Sequence, residues 1–230
     1  MIRRRWTSCL LALAGISASW PVNAAAQQPP QLIPFPSNVK PGGVLYLAGG
    51  GFPAGQSLTV TLVCLNWYES LYGRWNYTLS ASKIADGTFS GWKIRAGFPL
   101  IRDTVTCTLT APFGDNPFAV TAPLTISSAD TTLKLARVPI SDVRTRPASR
   151  TSNYQSFRAA TAPGAHLHLT IHYPHLPSMS VKVKADWTGQ AALRWRLPSS
   201  VKRGTRAKVM VSGRLGVFSG AQAVRMLARR

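Results

Sequence analysis

The chain has 230 residues, of which 27 are lysine or arginine and 7 are aspartate or glutamate, a formal net charge of +20. One glutamate, six aspartates and three cysteines leave a paired-carboxylate or thiol mechanism without its parts, so a protein that is not an enzyme and needs no cofactor is expected. Charge is also uneven: residues 27–128 carry six basic against four acidic side chains, residues 129–230 eighteen against three.

In chain order, Arg3, Arg4 and Arg5 precede an apolar run from Cys9 to about Ile16 and the small residues Val22-Asn-Ala-Ala-Ala26. This is the pattern of an export signal over residues 1–26, cut after Ala24 or Ala26. Ser17, Ser19 and Pro21 break the run well short of the roughly 20 residues a membrane span needs, and no later stretch qualifies. A secreted or periplasmic protein that does not span the membrane is expected. Removing the signal takes Cys9 with it and leaves Cys64 and Cys107, an even count that argues for a disulfide in an exported chain.

Roughly 205 residues remain, enough for two domains, 27–128 and 129–230, each with a modest core. Gln27–Ser37 reads as a short lead-in strand or tail, Val44–Ala48 as a strand ended by Gly49-Gly-Gly51, and Gln56–Leu65 as the strand after the Pro53-Ala-Gly55 turn. An aromatic segment, Asn66–Tyr77, leads into a strand expected over Asn76–Ile84. Asp86-Gly87 is a turn before the strand Thr88–Arg95. Val105, Cys107 and Leu109 alternate strictly with threonines, and Pro117–Ile126 closes the first domain. A linker, Ser127–Asp130, follows.

The second domain replays this order after an insertion, Arg144–Asn153, expected to be a loop. Setting Gly55 on Gly164 places Leu58, Val60, Leu62 and Cys64 on Leu167, Leu169, Ile171 and Tyr173, the same period-2 apolar face. Asp186-Trp-Thr-Gly189 takes the place of Asp86-Gly87, and Ala207, Val209 and Val211 that of Val105, Cys107 and Leu109. Tyr173 and Val209 thus stand where the cysteines were. Short strands divided by Gly, Pro and Asp turns, with no long amphipathic helix, imply sandwiches or barrels. Cys64 and Cys107 both face inward on separate strands, and the disulfide is expected to join two packed sheets.

The run Pro41-Gly-Gly, Gly49-Gly-Gly-Phe-Pro-Ala-Gly55, Leu-Thr-Val-Thr-Leu62 and Ala85-Asp-Gly-Thr-Phe-Ser90 resembles the immunoglobulin-like repeats of bacterial exported and cell-surface proteins. Ala162-Pro-Gly164, Ala185-Asp186 and Gly189 repeat it. The resemblance implies an all-β protein of two tandem immunoglobulin-like β-sandwich domains in a surface or periplasmic setting, and no reaction. Val105 stands where the tyrosine corner of antibody domains would place a tyrosine, which sets the chain apart from those.

Three constellations could carry function. Lys182 and Lys184, Arg194 and Arg196, and Arg206 and Lys208 each alternate with apolar residues, so each pair projects outward from a strand, with Lys202, Arg203 and Arg214 expected in nearby turns. Such a field attracts acidic glycans, wall polymers, lipid head groups or nucleic acid. His166, His168 and His172 share one strand face, and two imidazoles at i and i+2 can converge on zinc or copper, with His175 or Met179 nearby. The simpler reading, preferred here, lets them fill a solvent face beside the strand of Arg194 and Arg196. Trp67, Tyr68, Tyr72, Trp75 and Tyr77 could stack on sugars or grip a protein partner, although Trp75 is the best candidate for core filling near the disulfide. The expected function is non-catalytic binding, adhesion or scaffolding at the cell envelope, the second domain contacting an anionic polymer or surface. The alternative is an envelope metal-binding protein using the histidines.

Overall fold

The computed structural model describes residues 29–65, 72–96, 104–113, 116–127, 137–147, 153–202 and 204–227. The export signal over 1–26 and most of the linker lie outside them. In the N-terminal half the strands are β1 (Gln31–Phe35), β2 (Asn38–Val39), β3 (Val44–Gly50), β4 (Leu58–Leu65), β5 (Tyr72–Leu79), β6 (Phe89–Arg95), β7 (Thr104–Phe113) and β8 (Asn116–Ser127). They form one sheet in the order β1-β3-β6 and another in the order β2-β8-β7-β4-β5. The C-terminal half has β9 (Ile140–Pro147), β10 (Tyr154–Thr161), β11 (His166–His172), β12 (Met179–Lys184), β13 (Gln190–Arg196), β14 (Arg206–Leu215) and β15 (Phe218–Leu227). Its sheets are β13-β10-β9 and β12-β11-β14-β15, the same order without β2.

Each half is a sandwich because the inward residues of its two sheets form one core. Leu45, Leu47 and Ile94 meet Val60, Leu62, Leu109 and Leu124 in the first; Phe157 and Trp195 meet Leu167, Leu169, Ile171, Val209 and Val211 in the second. The inward face read from the two aligned strands holds: Leu58, Val60, Leu62, Cys64, Leu167, Leu169, Ile171 and Tyr173 are all buried, with Thr61 buried on the other side of β4. The turns repeat as well. Gly87 and Gly189 both have positive φ, and their carbonyls accept from the amides of Phe52 and Thr161 respectively. The carboxylates of Asp86 and Asp186 each take the amide and hydroxyl of the threonine two residues on. Those donors hold Asp86 below the usual carboxylate range, the Thr88 hydroxyl contributing most.

Several expectations give way to the observed pairing. Cys64 and Cys107 are bonded, but they lie directly opposite each other on the neighbouring strands β4 and β7, with Cα atoms 4.2 Å apart. Facing sheets stand about 10 Å apart, so a bridge of this reach belongs within one sheet. In the second half the pairing Ile171 to Val209, continued by two residues, puts Ala207 opposite Tyr173, so Ala207 rather than Val209 takes the place of Cys107. The strand expected over Asn76–Ile84 is β5, Tyr72–Leu79, followed by a 3-10 turn at Ala81–Lys83. Arg144 to Pro147, expected in a loop, belong to β9; residues 148–152 lie outside the described ones.

Where the first half has its disulfide, the second has a hydrogen bond between sheets: the Trp195 indole N–H on β13 donates to the buried Tyr173 hydroxyl, 3.2 Å away. Burial pushes the Tyr173 hydroxyl above its ordinary value, and the indole offsets part of the rise. The unfolded chain therefore ionises first, and stability should fall as pH rises above about 10. Tyr173→Phe should flatten that fall and, by leaving the indole without an acceptor, cost about 1–3 kcal/mol at neutral pH. Urea unfolding of both proteins at pH 7 and in the alkaline range checks this; a phenylalanine variant as stable as the parent at pH 7 would show that the bond contributes nothing.

The two halves also touch. Leu45 and Leu47 of β3 point into the first core, while Tyr46, between them, joins a third apolar cluster with Val138, Ala162, Ala165 and Leu215. Phe218, at the β14–β15 hairpin, meets the rings of Phe35 and Tyr46 edge-on at 5.7 and 6.1 Å. Thus the hairpin covers part of the outer face of the β1-β3-β6 sheet. Among the described residues no helix is long and apolar enough to cross a membrane.

Candidate functional site

The six cations singled out by alternation are all exposed, but they divide between two faces. Lys182 and Lys184 on β12 and Arg206 and Lys208 on β14 share the outer face of the four-stranded sheet; Arg194 and Arg196 on β13 lie on the other sheet. Alternation tells which way a side chain points, whereas strand neighbours are set by the crossovers between sheets.

On the four-stranded sheet the register lines up Lys184, His166 and Arg214 in one row, Lys182, His168 and Ser212 in the next, and His172, Lys208 and Arg225 at the far end. Arg214, expected in a turn, is a strand residue of β14. An open groove at the first end is lined by Arg137, His166, His168, Lys182 and Arg214. None of these four strands contains an acidic residue.

The histidines therefore neighbour Lys182, Lys184, Lys208 and Arg214, not Arg194 and Arg196. Nearby cations repel a metal ion. His168 is hydrogen-bonded to the Ser180 hydroxyl, and the Nδ1 of His172 to that of Ser178 at 2.8 Å. Among the described residues no three His, Cys, Asp or Glu side chains gather where one ion could hold them.

On the opposite sheet the structure adds arginines that the sequence reading left out. Arg144 and Arg146 on β9 and Arg158 on β10 point outward with Arg194 and Arg196. The i, i+2 spacing of Arg144 and Arg146, and the placing of Arg158 between the inward Phe157 and Ala159, were signals for them; assigning the first two to a loop hid the pattern. Of the aromatic segment, Trp67 and Tyr68 lie outside the described residues, while Trp75 and Tyr77 are half-buried against the first core, as core filling requires. A further groove, between the halves, is lined by Trp92, Trp187, Asp86, Asp186, Lys93 and Lys184.

No protein-family model and no curated protein matches the sequence. Among solved structures, the chain is similar to a tetra-tandem repeat in the extending region of a large adhesion protein, at 11% identity and a TM-score of 0.34, over 86% of this chain and 48% of that one. It is also similar to the FN1–FN3 domains of chicken CNTN1, at 13% identity and a TM-score of 0.30, over 88% of this chain and 68% of that one. A third is dimeric latent PorU from Porphyromonas gingivalis, at 16% identity and a TM-score of 0.33, over 88% of this chain and 20% of that one. The chain thus spans about half of the adhesion-protein structure. At scores this low no argument rests on them, and the class defined by the strand pairings is an all-β protein of paired β-sheets.

Proposed function

We propose that this is an exported, non-catalytic binding or scaffold protein of the cell envelope, built of two immunoglobulin-like domains, whose second domain contacts an anionic polymer or surface. The observation that carries this is the outer face of the β12-β11-β14-β15 sheet. It presents Lys182, Lys184, Arg206, Lys208, Arg214 and Arg225, and its four strands hold no carboxylate. Solubility needs a net charge of only about 2–8 on a small domain, and residues 129–230 far exceed it with eighteen basic side chains against three acidic. Lysines act as mobile point charges, suited to a field that steers a polyanion more than to a fitted pocket. The formed disulfide supports an oxidising location, and the sparse carboxylates support a non-enzymatic role.

The full chain should be retained on a heparin matrix at low salt and released steeply as salt rises, because counterions released on binding are recaptured. Replacing Lys182, Lys184, Arg206 and Lys208 together by glutamine should lower the salt needed for elution. Flow-through of the unsubstituted protein at low salt would remove this reading.

A further inference from the structure

The three-stranded sheet β9-β10-β13 carries on its outer face a cluster made of one residue type. Arg144 stands directly opposite Arg158; one row along, Arg146, Ser156 and Arg194 lie abreast; in the next, Arg196 stands opposite Tyr154. With strands about 4.8 Å apart and alternate residues about 6.5–7 Å apart, the five arginines fall within a patch of roughly 10 by 14 Å. Like charges directly opposite each other cost stability. The only carboxylate in these three strands is Asp142, at a positive φ where the β9 register shifts. The cluster is therefore not neutralised within its own sheet.

The five arginines are exposed, and small residues adjoin several of them. The outward residues between them are the small Ser156, Ala160 and Ala192, and the Ser156 hydroxyl is turned back onto the Arg146 carbonyl at 2.8 Å. Arg194 lies over the Tyr154 ring, 5.1 Å from its centroid, which holds one plane in place. Arginine presents a rigid fork that pairs two N–H donors with two oxygens of an oxyanion, where lysine offers one point charge. The opposite face mixes lysine, histidine and arginine; the basic side chains of this one are all arginine.

The repeat sharpens the contrast. The corresponding sheet of the first half, β1-β3-β6, shows apolar Phe35 and Tyr46 on its outer face and is covered there by Leu215 and Phe218. In the second half the same face carries arginine and cannot receive an apolar hairpin of that kind. A membrane surface would call for several large apolar side chains to insert, and the one large ring among the described outward residues of this face, Tyr154, lies beneath Arg194. Single-stranded nucleic acid would call for aromatic platforms for its bases, and Tyr154 already lies beneath Arg194.

We infer that the outer face of β9-β10-β13 is the binding site for a linear polysaccharide carrying sulfate or phosphate esters, held by forked contacts from Arg144, Arg146, Arg158, Arg194 and Arg196. This rests on the proposed contact with an anionic polymer and adds to the lysine-bearing face a second one, which selects sulfate or phosphate esters. The test measures binding of the full chain to a labelled heparin fragment at one fixed salt concentration. The variant R144K/R158K/R194K, which keeps the charge and loses the forks, should bind about fivefold more weakly, and R144Q/R158Q/R194Q at least about thirtyfold more weakly. K182Q/K184Q/K208Q on the other face should lose less than about threefold. Alginate, whose charges are all carboxylates, oligothymidylate and anionic lipid vesicles should all bind the parent more weakly than the heparin fragment does. Thermal unfolding serves as the control for folding, and R158Q should raise the midpoint, since it removes one of two facing like charges.

Equal binding by the arginine-to-lysine variant would overturn the inference, as would equal or better binding of any of the other three probes. If only the lysine-face variant loses affinity, the inference falls and the broader reading stands. If the parent protein binds no polyanion at low salt, both fall.

Discussion

Replacing Cys64 and Cys107 together by alanine is expected to lower the free energy of unfolding by about 4 kcal/mol, the chain-entropy value for a closed loop of this length. The cysteines are 43 residues apart, so the bond restrains most of the span from β4 through β7 in the unfolded chain. Both side chains are buried in the first core, so alanine also removes packed sulfur and adds to the loss. The second half has no disulfide, and its share of the transition should be unaffected by reductant. Urea unfolding of the double variant against the parent, with and without dithiothreitol, checks both points. A loss below about 1 kcal/mol would mean that the β4–β7 ladder alone already restrains the loop, against the entropy account.

Gly189→Ala is expected to cost more than about 3 kcal/mol, the sum of left-handed backbone strain and a backbone clash. Its φ is +82°, and an added Cβ would stand 2.3 Å from the carbonyl oxygen of Thr161, whose own amide donates to the Gly189 carbonyl at 2.8 Å. Neither backbone segment can retreat without breaking that bond. Gly87→Ala should behave alike, its Cβ falling 2.3 Å from the Phe52 carbonyl oxygen. Gly55 is the comparison: φ is +69°, nothing lies within 4 Å, and alanine there should cost only about 1–2 kcal/mol. Chemical denaturation of the three variants separates the terms. Equal losses at Gly55 and Gly189 would show that the turn relaxes and that only φ matters.

Asp86-Gly87 and Asp186–Gly189 were recognisable because each carries its own chemistry: a carboxylate that caps the threonine two residues on, and a glycine free to take positive φ. Leu167, Leu169 and Ile171 were recognisable as core for a similar reason, since burying one side of an extended segment requires period 2. Lys182, Lys184, Arg206 and Lys208 followed as their outward counterparts. Arg144, Arg146 and Arg158 escaped notice because Thr, Pro and Ser around the first two suggest a loop, and because Arg158 stands alone in its strand.

By itself, then, the sequence determined an all-β chain with a repeated order of turns, the inward or outward direction of most strand residues, and a strongly basic C-terminal half. These are local properties, written in spacing and composition. Only the tertiary structure decided which strands lie side by side. It placed the Cys64–Cys107 bond within one sheet, set the histidines among Lys182, Lys184, Lys208 and Arg214, and drew five arginines from three separate strands onto one face. The physical reason is that strand neighbours depend on where the chain crosses between sheets and on which apolar faces then bury each other, and no spacing within a single strand records either.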